Sequence, residues 1–299
     1  MQIGMLGLGR MGHAISQRLI DEGCSLIVWN RSPSKAQGLI KNGARFAASP
    51  SEVASTSDII FSILTDVEAI EATYSGPNGA LTKNVSGKLF IDMSTVRPHA
   101  ALELGAKINA VRGEFLECPV GGTVGPARHG QLFGFVGGSK FNFDRAKPVL
   151  DKICRRVEHV GEVGSGASVK LAVNLPLMVY WQALSEAVLM GRQSGISPER
   201  LIDILVDTAG APAVMKFRGS AVITSLSGGN DGPAHFTIDS IRKDMRSMIE
   251  EAKQLGYDLP TTKAALSVYD NASNQGLGEG DGTELAKWWL NNTKKDMSQ

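Results

Sequence analysis

Two sets of residues in this chain have types and spacings suited to chemistry. The first lies at the start, where Gly7, Gly9 and Gly12 in Gly7-Leu8-Gly9-Arg10-Met11-Gly12 follow the pattern G-x-G-x-x-G. Gly7 permits a tight turn after a strand, Gly9 lets backbone approach a pyrophosphate, and Gly12 lets the next helix lie close to a sheet. A helix starting there presents N–H groups and a positive dipole end to phosphate. Alone, the pattern also describes a bare structural turn. Its setting favours the dinucleotide reading: an apolar strand before it, a helix after it, and a second strand ending about 18 residues past the last glycine. The second set is Lys170 and Asn174, four residues apart among Val169, Leu171, Ala172, Val173 and Leu175. On a helix they share one face. A lysine in an apolar run either snorkels to solvent or is held for chemistry. Held, it gives a proton to a carbonyl oxygen as hydride reaches carbon, and takes one from a hydroxyl in reverse.

The cofactor is read from the end of the second strand. An acidic side chain there would bind the ribose 2′-hydroxyl of NAD. This chain has Asn30-Arg31-Ser32, with Lys35 close behind. No carboxylate repels a 2′-phosphate, and the planar fork of Arg31 suits one. The expectation is NADP, with NAD left open in case Arg31 is only a solvated charge. Lys243, beside Asp244, is a candidate cation to ease proton loss from Lys170; the alternative is an exposed charge next to an acid.

These residues need elements to position them. Strands are expected at Ile3–Leu6, Ser25–Trp29, Ile59–Leu64, Leu89–Asp92, Glu114–Cys118, Gly134–Gly137 and Arg156–Val160, and helices at Met11–Glu22 and Pro33–Asn42. Alternation of this kind gives a doubly wound, parallel-rich α/β sheet of Rossmann type. After Gly164-Ser165-Gly166, read as a flexible mouth between domains, a long and mostly buried helix is expected over Ala167–Gly191, perturbed near Pro176. Pro198–Ala209, Ser240–Gly256 and Thr261–Gln275 also have helical period. The expected organisation is a dinucleotide-binding domain over 1–163 and an all-α domain over 164–299, with a frayed polar tail after Asn291.

Composition bounds the partners. The 299 residues suit two domains at roughly 100–200 residues each. With 31 Lys+Arg against 30 Asp+Glu, no basic surface for nucleic acid or membrane is expected. Cys24, Cys118 and Cys154 are too scattered for a disulfide framework and read as reduced, mostly buried thiols. His99 and His129 read as loop residues, and five dispersed histidines make no metal site. Asp92 reads as a cap at a strand end or turn. There is no run of about 18 apolar residues and no signal peptide, so a cytoplasmic location is the default.

Taken together and in order, these motifs resemble the β-hydroxyacid dehydrogenases, the group of 3-hydroxyisobutyrate dehydrogenase-like and glyoxylate/succinic semialdehyde reductase-like enzymes. The resemblance rests on the glycine loop and on Asp92-Met93-Ser94-Thr95-Val96-Arg97-Pro98. It continues through Pro119-Val120-Gly121-Gly122-Thr123-Val124-Gly125 with Gly130 and Gly137-Gly138, Gly164-Ser165-Gly166 through Lys170 and Asn174, and Phe236 with Lys243-Asp244. It implies that Gly7, Leu8, Gly9, Arg10 and Met11 cradle the pyrophosphate and that Asn30, Arg31 and Lys35 face the adenosine ribose. Leu64, Thr65, Thr95 and Lys243 would lie along the rest of the cofactor. Lys170 would be the acid/base, Asn174 would orient it and the substrate, and chain amides near Gly121, Gly122 and Thr123 would hold a substrate carboxylate. Many members read Ser-Gly-Gly after Pro-Val; Gly121-Gly122-Thr123 departs from that, which bears on the substrate more than on the reaction.

The function expected is hydride transfer between NADP and a small 3-hydroxy acid or semialdehyde acid. Glyoxylate, succinic, tartronate and methylmalonate semialdehydes are all candidates. The resemblance also implies a homodimer or homotetramer. The alternatives are an imine or β-keto reductase on the same scaffold, which the presence of Lys170 counts against, and an NADP-binding protein without turnover.

Overall fold

Short apolar runs bounded by turns fold as strands here because helices cover both faces of the sheet they form. The computed structural model of the protein describes residues 1–292. Its first compact unit is Met1–Ala172. In chain order it contains β1 (Gln2–Leu6), α1 (Arg10–Asp21), β2 (Ser25–Trp29), α2 (Gln37–Lys41), β3 (Arg45–Phe46), α3 (Pro50–Thr56), β4 (Ile59–Ser62), α4 (Val67–Ser75), β5 (Leu89–Asp92) and α5 (Pro98–Ala110). It continues with β6 (Glu114–Glu117), β7 (Val120–Gly121), α6 (Val124–Arg128), β8 (Leu132–Gly138), α7 (Lys140–Ile153) and β9 (Cys154–Gly161), and α8 (Ser165–Gly191) begins within it. One apolar layer joins the sheet to Ile15 and Leu19 of α1 and to Val149 and Leu150 of α7. The opposite layer uses Val53 of α3, Ile70 and Tyr74 of α4, and Leu104 and Ile108 of α5. Buried on both sides, the central strands carry continuous apolar runs such as Ile59-Ile60-Phe61.

The strand order is β3-β2-β1-β4-β5-β6-β8-β7, with β9 also paired to β8. Pairing is parallel from β3 through β6, and β8 then runs antiparallel to both β6 and β7. Pro119, which has no N–H to donate, separates β6 from β7. The sheet is thus parallel-rich with a mixed edge. Its register matters for function: Trp29, Leu6, Ser62, Asp92 and Glu117 form one row across β2, β1, β4, β5 and β6. At about 4.8 Å per strand the row spans about 19 Å. Every loop leaving those strands starts just beyond it, on one edge.

Residues from Val173 onward form the second unit. It holds the rest of α8 and α9 (Pro198–Val206), α10 (Met215–Leu226), α11 (Ile238–Gln254), α12 (Pro260–Ala272) and α13 (Leu285–Asn292). The contact division falls at Ala172, whereas the change in sequence texture marks Gly164; α8 is continuous across both. Pro176 lies inside α8 without ending it. Burial of this helix is one-sided: Met178, Trp181, Leu184 and Val188 are buried at helical spacing, while Val173 is 49% and Met190 78% exposed. Apolar composition all round it suggested fuller burial. Tyr269 of α12 donates to the Met178 carbonyl at 2.7 Å. Helix ends also shift: α9 stops at Val206, and α12 at Ala272, where a wider turn with Gly276 at φ +95° follows. Asn292 closes α13, and the remainder of the expected tail, 293–299, lies outside the described residues. Among the described residues no helix is long and apolar enough to cross a membrane.

Candidate active site

The glycine loop leaves β1 at the edge defined above. Gly7 takes φ +96°, and a methyl there would sit 2.5 Å from the Ile63 carbonyl oxygen. Its N–H donates to the Trp29 carbonyl at 3.0 Å. A methyl on Gly12 would lie 2.0 Å from the Gly7 carbonyl oxygen. Gly9 is different: its backbone is ordinary (φ −64°, ψ −174°), and a methyl would meet no described atom within 4 Å. The fold therefore needs Gly7 and Gly12 for its own packing, but not Gly9. The space above Gly9 is open and Gly9 is exposed. The first turn of α1 contains no acidic residue and receives no side-chain cap among the described residues. Open space over an uncapped helix start fits a dinucleotide pyrophosphate. Leu8 is buried, Met11 half-buried and Arg10 exposed.

Asn30 ties this loop to the end of β2. Its Oδ1 accepts from the Leu8 N–H at 2.8 Å and its Nδ2 donates to the Ser32 carbonyl at 3.0 Å. Much of its amide is thus spent inside the protein, beyond the ribose-facing part expected of it. Arg31, Ser32 and Lys35 are exposed next to it.

The β4 and β5 loops are joined by a buried network. Asp92 Oδ1 accepts from Ser62 Oγ at 2.6 Å and from Ser94 Oγ at 2.8 Å. Ser94 Oγ in turn accepts from the Leu64 N–H at 2.9 Å, and Ser62 Oγ bonds Tyr74 Oη at 2.7 Å. Asp92 so holds both Leu64-Thr65 and Ser94-Thr95 in place, in keeping with its reading as a cap. Burial pushes its carboxyl up to about 6, against the pull of the two serines.

One strand over, Glu117 grips the start of α8. Its Oε1 accepts from the N–H groups of Gly164 and Gly166 at 2.5 and 2.8 Å, and its Oε2 from Ala167 at 3.2 Å. Burial pushes this carboxyl up to about 7, although the three N–H groups draw it down. The expectation of a flexible mouth at Gly164-Ser165-Gly166 is corrected here. Gly164 adopts φ +99°, and a methyl on Gly166 would fall 2.5 Å from the Phe135 carbonyl oxygen. Gly164 serves a left-handed turn and Gly166 a close approach. Lys170 follows one turn on and is 7% exposed.

In the second unit, Asn174 Nδ2 reaches Asp244 Oδ2 at 3.4 Å, and Lys243 Nζ pairs with Asp244 Oδ1 at 2.9 Å. Lys243 is 38% exposed and Asp244 3%. Gly121 ends β7, Gly122 turns at φ +124° and Thr123 precedes α6. A methyl on Gly122 would press on Leu132 Cδ2 at 2.8 Å, so that glycine is required by the turn itself. His99 is in the first turn of α5, not in a loop; His129 follows α6 and its Nδ1 bonds the Gly125 carbonyl at 2.9 Å. No group of three or more His, Cys, Asp or Glu among the described residues is arranged to hold a metal ion. The three cysteines are free, Cys118 and Cys154 buried.

Sequence reasoning missed Glu117, Ser62, Ser94 and Tyr74. One signal was present: Leu89-Phe90-Ile91 and Phe115-Leu116 are apolar strand segments that each end on an acid.

A glycine-loop Rossmann sheet followed by a helical unit is the class of a nicotinamide-dinucleotide oxidoreductase. Residues 2–161 match the family described as the NAD binding domain of 6-phosphogluconate dehydrogenase, and residues 164–289 that described as NAD-binding of NADP-dependent 3-hydroxyisobutyrate dehydrogenase. The chain is 34% identical to glyoxylate/succinic semialdehyde reductase 2, chloroplastic, of Arabidopsis thaliana, over 93% of this chain and 76% of that protein. Among solved structures it resembles 3-hydroxyisobutyrate dehydrogenase from Salmonella typhimurium, with TM-score 0.85 and 26% identity over 96% of this chain and 99% of that one. It likewise resembles Psf3 in complex with NADP+ and 2-OPP, with TM-score 0.85 and 27% identity over 96% and 99%. The chain belongs to the β-hydroxyacid dehydrogenase family, NAD(P)-dependent enzymes that act on hydroxy acids.

Two predictions follow from this geometry. Gly9→Ala should fold with stability within about 1 kcal/mol of the parent but bind the dinucleotide at least about tenfold more weakly, a loss of roughly 1.4 kcal/mol. Gly12→Ala should instead lower stability by about 1–3 kcal/mol or more, through overpacking against backbone. Thermal unfolding and dinucleotide titration check both, and equal binding by Gly9→Ala contradicts the cradle. The second concerns pH. Asp92 and Glu117 hold protons more tightly folded than unfolded, so their contribution to stability is complete below the unfolded values of 3.8 and 4.5 and is lost as pH rises through about 6 and about 7. Asp92→Asn keeps an oxygen for both serines and removes one of these titrations. Its melting temperature relative to the parent should rise as pH goes from about 4 to about 7; a constant difference contradicts the buried titration.

Proposed function

We propose that the protein transfers hydride between NADP and a short 3-hydroxy acid or the matching semialdehyde acid, with Lys170 as the general acid/base. The observation that carries this reading is a buried lysine on the first turns of a helix whose start is bonded to the cofactor edge of the sheet. A lysine with 7% exposure has given up most of its hydration, which a solvated surface charge does not do. When bound, the nicotinamide supplies or accepts hydride. The side chains manage the proton: Lys170 Nζ gives it to the carbonyl oxygen during reduction and recovers it from the hydroxyl during oxidation. Asn174, bonded to Asp244, orients the lysine and the substrate, and Lys243 serves the nicotinamide end of the cofactor.

Preference for NADP rests on Arg31, Ser32 and Lys35, exposed beside the glycine loop. Thr65 and Thr95, on loops joined through Ser94 and Asp92, would line the nicotinamide half. The backbone around Gly121, Gly122 and Thr123 would receive the substrate carboxylate. The relatives support a short, carboxylate-bearing substrate: one is named for glyoxylate and succinic semialdehyde, another for 3-hydroxyisobutyrate. Homodimer or homotetramer assembly is part of this reading through the family resemblance.

The test is NADPH oxidation with glyoxylate and with succinic, tartronate and methylmalonate semialdehydes. Lys170→Ala should lower kcat on the best of these by about 10²–10⁴-fold, with NADPH affinity little changed. A comparable kcat contradicts the acid/base assignment. Arg31→Ala should raise KM for NADPH by about tenfold or more, the loss of one charge-assisted phosphate contact, and leave KM for NADH nearly unchanged. Equal effects on both cofactors contradict phosphate recognition.

A further inference from the structure

The glutamate at the end of β6 has no part in the reaction proposed above, yet its setting is unusual for a residue that merely starts a helix. A helix start is commonly satisfied by a nearby serine, threonine or aspartate near the surface. Here the acceptor is a carboxylate that is 2% exposed and comes from 47 to 50 residues earlier in the chain. Two glycines make room for it. A methyl on Gly137 would lie 2.2 Å from Glu117 Oε1, and one on Gly166 would lie 3.2 Å from its Cδ. Three backbone donors from Gly164, Gly166 and Ala167 converge on it. Burying an acid is costly, and a local neutral cap would have satisfied those amides.

We propose that Glu117 is a positioning residue for Lys170, clamping the first turn of α8 to the catalytic edge of the sheet and so fixing the place and rotation of the lysine. The proposal rests on the reading of Lys170 as acid/base. Gly166 and Lys170 are four residues apart, one turn on the same helix face. Side chains on a helix lean toward its N-terminus, so Lys170 leans back over the turn that Glu117 holds. A carboxylate accepts at both oxygens. A protonated carboxyl carries a hydrogen on one of them, which then faces an N–H. The clamp is therefore complete only while Glu117 is ionised, and burial brings its titration to about 7. The titratable groups acting on it are Asp92, across the row on β5, whose charge raises it, and Cys118, next in the chain, whose thiol is raised in turn by Glu117.

The experiment is the pH profile of kcat for NADPH-dependent reduction of whichever of the four carbonyl acids above is turned over fastest, with parent, Glu117→Gln, Glu117→Asp and Lys170→Ala. In this direction Lys170 must carry its proton, so it governs the fall in rate at high pH, and Glu117 governs the fall at low pH. The parent should show a low-pH limb. Glu117→Gln should lack that limb and have kcat lowered by about tenfold or more, a cost in the range of a small displacement of a catalytic group, with KM for NADPH within about twofold. Glu117→Asp, which keeps a carboxyl, should keep the limb at reduced kcat; it also stands in should the glutamine variant fold poorly. A low-pH limb and kcat unchanged in Glu117→Gln overturn the clamp even with Lys170→Ala inactive. A Lys170→Ala variant that retains kcat overturns the acid/base reading instead.

Discussion

Five parallel strands end in step, and the row from Trp29 through Leu6, Ser62 and Asp92 to Glu117 fixes where chemistry can occur. Parallel pairing points every carboxyl end the same way, so the loops that follow share one edge. Gly7–Gly12, Asn30-Arg31, Leu64-Thr65, Ser94-Thr95 and Glu117, which grips α8, are scattered over more than a third of the chain. The register gathers those of the sheet along about 19 Å. The side chains in the row then hold the loops to one another: Asp92 joins the β4 and β5 loops, Glu117 joins β6 to α8, and Asn30, just beyond the row, joins β2 to the glycine loop.

That arrangement works against stability in one respect. Two carboxyl groups are buried side by side on adjacent strands, and burial raises both, Asp92 to about 6 and Glu117 to about 7. An apolar pair would pack there at lower cost. Hydrogen bonds from two serines and three backbone amides offset part of the penalty, and the result is two loops and a helix start with little freedom to shift. Preorganisation of this kind is what a site needs when hydride and proton must move together.

Much of the fold was legible because it is written in local rules. The glycine loop showed itself through spacing, and β1, β2 and β5 through apolar runs ended by turns. The Lys170–Asn174 pair showed itself as polar residues in an apolar helix. Glu117 was not legible in the same way, because its partners lie about 50 residues ahead and meet it only once β6 and α8 have formed. Gly164-Ser165-Gly166 was misjudged for the same reason: sequence shows that a glycine lacks a side chain, not whether the space is used for motion or for contact. The shallow burial of α8 reflects a helix apolar on all sides with partners on one side of a single chain. Asn30 was placed by resemblance toward the ribose; the bond of its amide oxygen to the Leu8 N–H, 22 residues back in the chain, was not legible.

The account stands on hydride passing from a dinucleotide at this edge to a short carbonyl acid. The most direct measurement uses NADPH carrying deuterium at both C4 positions, incubated with the protein and glyoxylate or a semialdehyde acid, with the product analysed by mass spectrometry and NMR. Deuterium bonded to the new carbinol carbon, with a primary isotope effect on single-turnover NADPH consumption, is the predicted result. Tight NADPH binding with no label transferred to any of the compounds would contradict it.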